Sequence, residues 1–379
     1  MPDKHPEVAL SFLKEGGTNF PKRPKLAEDL LIFQMPDGLG MQFRGLSNPV
    51  VLRGALAETL LPKLLPLLDG KNEVSELIEK LAPEASAGDV ADLLKNLFTR
   101  GAIADAEEVR MENAVDRKNQ LFFGRRLGVT RNNGCASEVL EKLARSPVVV
   151  IADGLLGSSV LDLLIRSGFR NLAVAALRTD ASAQELFSGF PEEIQIDYID
   201  GSEDAVEGFM QSQINSAELV VAALRSVPQS VFASINELCV QAQVQWLRAH
   251  DNGSNIEVGP YVNPHDSPCF ECMLVRQISG GVYAVEEELF QNFLEEQSSV
   301  HQLSGESIGL ATQAAAYLAQ ESVRVVSAIE KPCLDGSVVT FHSDGNIEQN
   351  WFIRVPRCEV CARGGAIILP ERTHASKVS

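Results

Sequence analysis

Two C-x-x-C pairs, Cys269/Cys272 in "SPCFECMLVRQ" and Cys358/Cys361 in "RCEVCARGG", lie far apart in the chain, and together they demand a fold that joins them. Four thiolates at this spacing complete the tetrahedral coordination of a zinc ion and leave no position for water or substrate. The metal so predicted is structural, clipping the segment after the central part of the chain to the C-terminal strand. A reactive dithiol is the alternative and needs a helix N-terminus beside it. Pro268 and Phe270 flank Cys269, and only "MLVRQ" after the pair reads as a helix start. Seven cysteines in 379 residues is an odd count for a disulfide framework, and a chain this long can bury its cores without one. Cys135, Cys239 and Cys333 have no partner at ligand spacing and read as ordinary thiols.

Residues 147–379 alternate strands with helices. "PVVVIADGLLGSSVLDLLIRSGFRNLAVAAL" predicts a buried strand over Val148 to Ile151, a glycine-bearing turn, a helix from about Ser158 to Ser167 and a further strand. "AELVVAAL", "SVFASINELCVQAQ" and "VQWLRAH" repeat the pattern, which implies a doubly wound, Rossmann-like α/β sheet. In such folds the first strand–helix turn is glycine-rich, so that backbone N–H groups can approach phosphates. Here that turn reads Ala152-Asp153-Gly154-Leu155-Leu156-Gly157. Gly154 and Gly157 remain of the G-x-G-x-x-G pattern, the first glycine is Ala152, and Asp153 sets a carboxylate where phosphates would lie.

Residues 1–106 read differently. "DLLIFQMPDG" and "MQFRG" form a hairpin around Pro36-Asp37-Gly38, and "NPVVLRG" offers a third strand. Three helical patterns follow, "ALAETLLPKLLPLL", "VSELIEKLA" and "AGDVADLLKNLFTRG", then a short "AIA" return strand. This is the outline of a winged-helix module. DNA reading is disfavoured, because Asp89 and Asp92 offset Lys95 and Arg100 along the third helix. Peptide capture by strand addition is the other use of such a module. The polar stretch 107–146, with a helix at "SEVLEKLARS" and an apolar "NQLFFG", reads as the connecting segment.

A net charge of −18 argues against a nucleic-acid partner, since counterion release needs clustered cations. No apolar run is long enough to span a bilayer, and the N-terminus lacks a signal peptide's apolar stretch, so a cytoplasmic, non-membrane protein is expected. His250, His265 and His342 are isolated in sequence, and no local spacing gives any of them a catalytic partner.

The order of "RKNQLFFG", the degenerate loop, the α/β run, "DSPCFECML" and "RCEVC" resembles the E1-like, ThiF-like adenylating proteins. With the winged-helix segment ahead of it, the whole resembles the ocin-ThiF-like, or cyclodehydratase C, proteins of thiazole/oxazole-modified (bacteriocin-type) peptide biosynthesis. The resemblance implies an N-terminal PqqD-like element that binds the leader of a precursor peptide. It also implies an E1-like domain with a four-cysteine zinc site, and a separate YcaO protein that uses ATP to close azoline rings. A flavin dehydrogenase partner and a homodimer follow from the resemblance alone.

The acidic residue that closes the second strand in ThiF-like enzymes would fall near Ala176, and the magnesium-holding aspartate would fall within Leu224-Arg225-Ser226. Neither stretch has a carboxylate, so productive ATP binding and a catalytic role of its own are not expected. By the same resemblance the leader adds a strand beside Val50, Val51 and Leu52, against helix residues Val90, Leu93, Leu94 and Leu97. Plain core packing is the competing role for each of these. The rival functions are an ATP-dependent adenylating enzyme and a zinc-containing winged-helix regulator.

Overall fold

The computed structural model describes residue 9 and residues 11–13, 20–46, 48–127, 132–177, 181–280, 284–296 and 305–362. The chain divides into two compact units. One comprises Met1–Pro147, Val160–Leu172 and Ala319–Pro332, the other Val148–Ser159, Ala173–Leu318 and Cys333–Ser379.

In the first unit, Pro36-Asp37-Gly38 turns the chain between strand β2 (Leu31–Gln34) and strand β3 (Met41–Arg44), with Asp37 and Gly38 both at positive φ. Strand β4 (Val50–Leu52) adds antiparallel to β3, giving a three-stranded sheet in the order β2-β3-β4. The helical pattern after it is broken at its prolines into Ala55–Thr59, Leu61–Leu64 and a single 3-10 turn, because Pro62 and Pro66 can only start helical turns. Helix Ala87–Thr99 opens on a reciprocal cap. Ser86 Oγ accepts the Asp89 N–H at 3.1 Å while Asp89 Oδ2 accepts the Ser86 N–H at 3.2 Å. Its apolar stripe, Val90, Leu93, Leu94 and Leu97, joins Phe43, Leu61, Leu64 and Leu77 in one buried cluster. The "AIA" segment forms strand β5 (Ile103–Asp105), which pairs antiparallel with strand β1 (Pro24–Leu26) rather than with the other sheet. The connecting stretch carries two helices, Ala114–Gly124 and Ala136–Arg145. "NQLFFG" ends the first, with Gln120 and Phe123 buried.

The second unit is built on an eight-stranded sheet. In the order β13-β12-β11-β10-β9-β6-β7-β8 it comprises β6 (Val148–Ala152), β7 (Leu172–Leu177), β8 (Ile196–Ile199), β9 (Leu219–Arg225), β10 (Gln245–Asp251), β11 (Asn255–Val262), β12 (Ser337–His342) and β13 (Ile347–Trp351). The β7–β8, β6–β9 and β9–β10 pairs are parallel, and β10 to β13 run antiparallel. Strands β6 and β9 are buried at every position, as expected for strands covered on both faces. One face holds Val149, Ile151, Val220, Ala222 and Leu224 against Phe209, Met210, Phe232 and Ile235 of the helices Glu203–Gln213 and Gln229–Ala242. The antiparallel half was not expected from the sequence. Among the described residues, no helix is long and apolar enough to cross a membrane.

Candidate functional site

Chain order in the large sheet runs outward from β6 in one direction to β7 and in the other to β9. Open α/β sheets bind ligands at such a switch point, beyond the carboxyl ends of the strands. Three strands deliver side chains to that edge here. Strand β6 ends in Ala152 and Asp153, β9 ends in Arg225, and β10 ends in Asp251, which stands opposite Arg225 in the parallel register.

The helix after β6 begins at Gly154, a turn earlier than the sequence suggested. Gly154 sits at φ +60, a left-handed conformation that glycine adopts without penalty, so the strand passes directly into the helix. Gly157 is required for packing. A Cβ there would lie 2.8 Å from the backbone of Ala152, so the helix crosses its strand at a distance only glycine allows. The two glycines therefore shape a tight strand–helix turn, and a carboxylate from a distant part of the chain packs beside it. Leu155 N–H donates to Glu306 Oε2 at 2.8 Å, and a Cβ on Gly154 would meet the two Glu306 oxygens at 2.7 and 2.8 Å.

Arg225 fixes the carboxylate from the other side. Its side chain is 2% exposed, its Nη1 lies 3.5 Å from Glu306 Oε1, and its Nη2 donates to the Gly305 carbonyl at 2.6 Å. Asp251 Oδ2 lies 3.4 Å from Arg225 Nε. A guanidinium thus stands at the end of β9, where the resemblance would put a magnesium-holding carboxylate. Asp153, also buried, donates its backbone N–H to the Ala223 carbonyl at 2.9 Å and ties β6 to β9 at the same edge.

Behind this edge lies a second buried polar group on β10 and β11. Arg248 Nη2 donates to Glu257 Oε2 at 2.7 Å, and its Nη1 donates to the Gly259 carbonyl at 3.0 Å. Its guanidinium stacks near the rings of Phe232 and Phe270. Arg248 Nη2 also lies 3.3 Å from His250 Nδ1. Burial, with the Arg248 charge second, lowers the His250 pKa from 6.5 to about 3, so the ring is neutral. His265 is exposed, and His342 Nε2 stands 3.7 Å from Glu348, far along the antiparallel half. Among the described residues, no pair of histidines converges.

The four paired cysteines do converge. Cys269 Sγ lies 3.5 Å from Cys358 Sγ and 3.9 Å from Cys272 Sγ, and Cys272 Sγ lies 3.6 Å from Cys361 Sγ. All four sulfurs fall within 4.8 Å of one another, a group that could hold a metal ion. A tetrahedron with Zn–S bonds of ~2.3 Å has edges of about 3.8 Å, so the spacing fits. Contrary to the sequence reading, the helix starts at Phe270, inside the first pair, which sets Cys272 in its first turn. Hydrogen bonding from Cys269 is the main influence that pulls the Cys272 thiol down to about 5, and the Val355 N–H, 3.3 Å from Cys272 Sγ, adds to it. The helix N-terminus that a reactive dithiol needs is therefore present; convergence of the second pair on the first is what favours a metal.

In the first unit, β4 is an edge strand, paired among the described residues only with β3. Val50 and Leu52 point into the core, while Val51 faces outward at 36% exposure. Val90, Leu93, Leu94 and Leu97 all lie in the core, so the outer surface of their helix is made of Asp92, Lys95, Asn96, Thr99 and Arg100. Exposed apolar residues that the sequence reading passed over lie at the opposite edge, where Leu31 and Phe33 of β2 and Leu39 of the turn face solvent.

E. coli MccB in complex with MccA-N7isoASN aligns over 89% of this chain and 99% of its own length, with a TM-score of 0.65 and 17% identity. E. coli MccB with ATP gives 0.64 and 16% over the same shares. The heterocyclase TruD matches 90% of this chain with 43% of its own, at a TM-score of 0.57 and 18% identity. This chain has the MccB fold. No protein-family model matches it, and no curated protein matches it in sequence.

Proposed function

We propose that this chain is a non-adenylating, E1-like component of a ribosomal-peptide heterocyclase. It binds the leader of a precursor peptide and delivers it to a separate, ATP-dependent YcaO protein that closes azoline rings. The observation that carries this reading is the closed switch-point edge. A fold shared with MccB, solved with its peptide MccA and with ATP, and with the heterocyclase TruD, here has Arg225, Asp251 and Glu306 at the nucleotide turn. An ATP-dependent adenylating role is the rival, and the same residues weigh against it, because a triphosphate would meet the carboxylates of Asp251 and Glu306.

Residues 1–106 form the PqqD-like winged-helix recognition domain in this reading, 107–146 connect it, and 147–379 form the E1-like domain. The leader adds a strand to the open edge of β4 by main-chain hydrogen bonds, with Val51 as its nearest apolar contact. Cys269, Cys272, Cys358 and Cys361 hold a zinc ion that supplies no chemistry; it ties the start of helix Phe270–Gly280 to the segment after β13. Partnership with a flavin dehydrogenase and homodimerisation belong to the same reading. Fluorescence polarisation with a labelled leader, taken from the precursor gene nearest this one, tests the proposal. Saturable binding at micromolar concentration is expected, and a flat titration would overturn it.

A further inference from the structure

We infer that the Glu306 carboxylate occupies a polyphosphate seat at the nucleotide turn, and that this one side chain keeps the seat closed to anions. The inference deepens the non-adenylating reading and rests on it, but it is measured separately.

The seat has the parts that phosphate recognition requires. The fourteen-residue helix Gly154–Ser167 begins at the position, and its Leu155 N–H already holds an oxygen there at 2.8 Å. Gly154 offers no side chain, leaving room for an oxyanion close to the backbone. Arg225, a guanidinium at 2% exposure, closes the other side. Its hydrogen-bonding capacity is not used up. Nε pairs with Asp251 Oδ2 at 3.4 Å, and among the described residues it makes no hydrogen bond.

Charge explains the exclusion. Arg225 is one cation between two carboxylates, Asp251 and Glu306, so an added phosphate would enter a site that is already net negative. Removing Glu306 takes away the carboxylate that sits on the Leu155 N–H, from an edge that still holds Asp153 and Asp251, and Arg225 with the helix end supplies the attraction. Removing the side chain also vacates the volume beside Gly154.

The test uses the full chain and inorganic pyrophosphate, followed by titration calorimetry, with thermal unfolding measured at increasing pyrophosphate. The native protein should give no saturable heat. Glu306→Ala and Glu306→Ser should bind pyrophosphate about tenfold more tightly than the native chain, or better, and their melting temperatures should rise with its concentration. A variant that folds only when pyrophosphate is present also supports the seat. The inference is overturned if the native chain binds pyrophosphate as well as the variants do. Variants that fold but do not bind, or that stay unfolded at every anion concentration, overturn it equally. ATP–pyrophosphate exchange by the native chain would instead defeat the non-adenylating reading, so the two failures are distinguishable.

Discussion

Glu306 Oε1 lies 3.5 Å from Arg225 Nη1, while Glu306 Oε2 accepts the Leu155 N–H at 2.8 Å, so one carboxylate links the end of β9 to the first turn of the helix after β6. Arg225 also faces Asp251 at 3.4 Å, both being buried. Replacing it by Met would leave the buried Asp251 and the half-buried Glu306 without their cation. Arg225→Met should cost about 3–5 kcal/mol of unfolding free energy in urea titrations. A loss below about 1 kcal/mol would mean that the network is solvated.

The tetrathiol group should retain metal through purification. Elemental analysis of protein prepared under reducing conditions is expected to find about one zinc per chain, lost in Cys358→Ala. Chelation should lower the melting temperature of the native protein and leave that of Cys358→Ala unchanged. A metal-free native protein with the same melting temperature would remove the site.

Acid should weaken the second unit through His250. Its folded pKa, about 3, lies below its ordinary value of 6.5, so the unfolded chain takes up the proton first. The stability from neutral His250 is complete above about pH 6.5 and is lost as pH falls toward 3, by about 1.4 kcal/mol per pH unit. Glu257 and the other carboxylates also respond to acid, but a substitution at His250 isolates its share. Urea unfolding of native protein and His250→Gln at about pH 7 and about pH 5 should show the native chain losing more. Equal losses would place the ring in contact with solvent.

The open edge of β4 should tolerate change only at its outward position. Val51→Asp is expected to weaken leader binding about tenfold with little change in melting temperature, since its side chain leaves the core untouched. Val50→Asp should destabilise the whole unit, because it buries a charge beside Phe43 and Leu61. Unchanged leader affinity in folded Val51→Asp would move the peptide elsewhere.

Much of the fold was legible because the signals were local. Glycines and capping residues marked the turns, the continuous apolar runs of β6 and β9 marked a sheet covered on both faces, and C-x-x-C spacing identified the four sulfurs that meet. The antiparallel half was less legible, since "IEVGPYV" and "SVVTFH" pair at long range and carry no turn that announces it. In the first unit Val50–Leu52 is a strand, as its sequence suggests, but helical periodicity alone could not tell a core stripe from a groove. Val90, Leu93, Leu94 and Leu97 proved to be core. That Ala152 stands at the start of the strand–helix turn was plain in the sequence, whereas the carboxylate that packs beside the turn was not. Glu306 reaches the turn from about 150 residues away, and "GESIGLATQ" reads as an ordinary lead-in to a helix. One clue was available: "VVAALR" and "WLRAHD" are buried strands ending in opposite charges, and neighbouring parallel strands bring such ends together.

Ring formation on the precursor peptide tests the central claim most directly. The precursor and the YcaO protein encoded nearest this gene are incubated with ATP, with and without this chain, and loss of one water per ring is followed by mass spectrometry. Rapid cyclisation is predicted only when this chain is present, and it should be abolished by deleting the leader. Equal cyclisation without this chain would contradict the account.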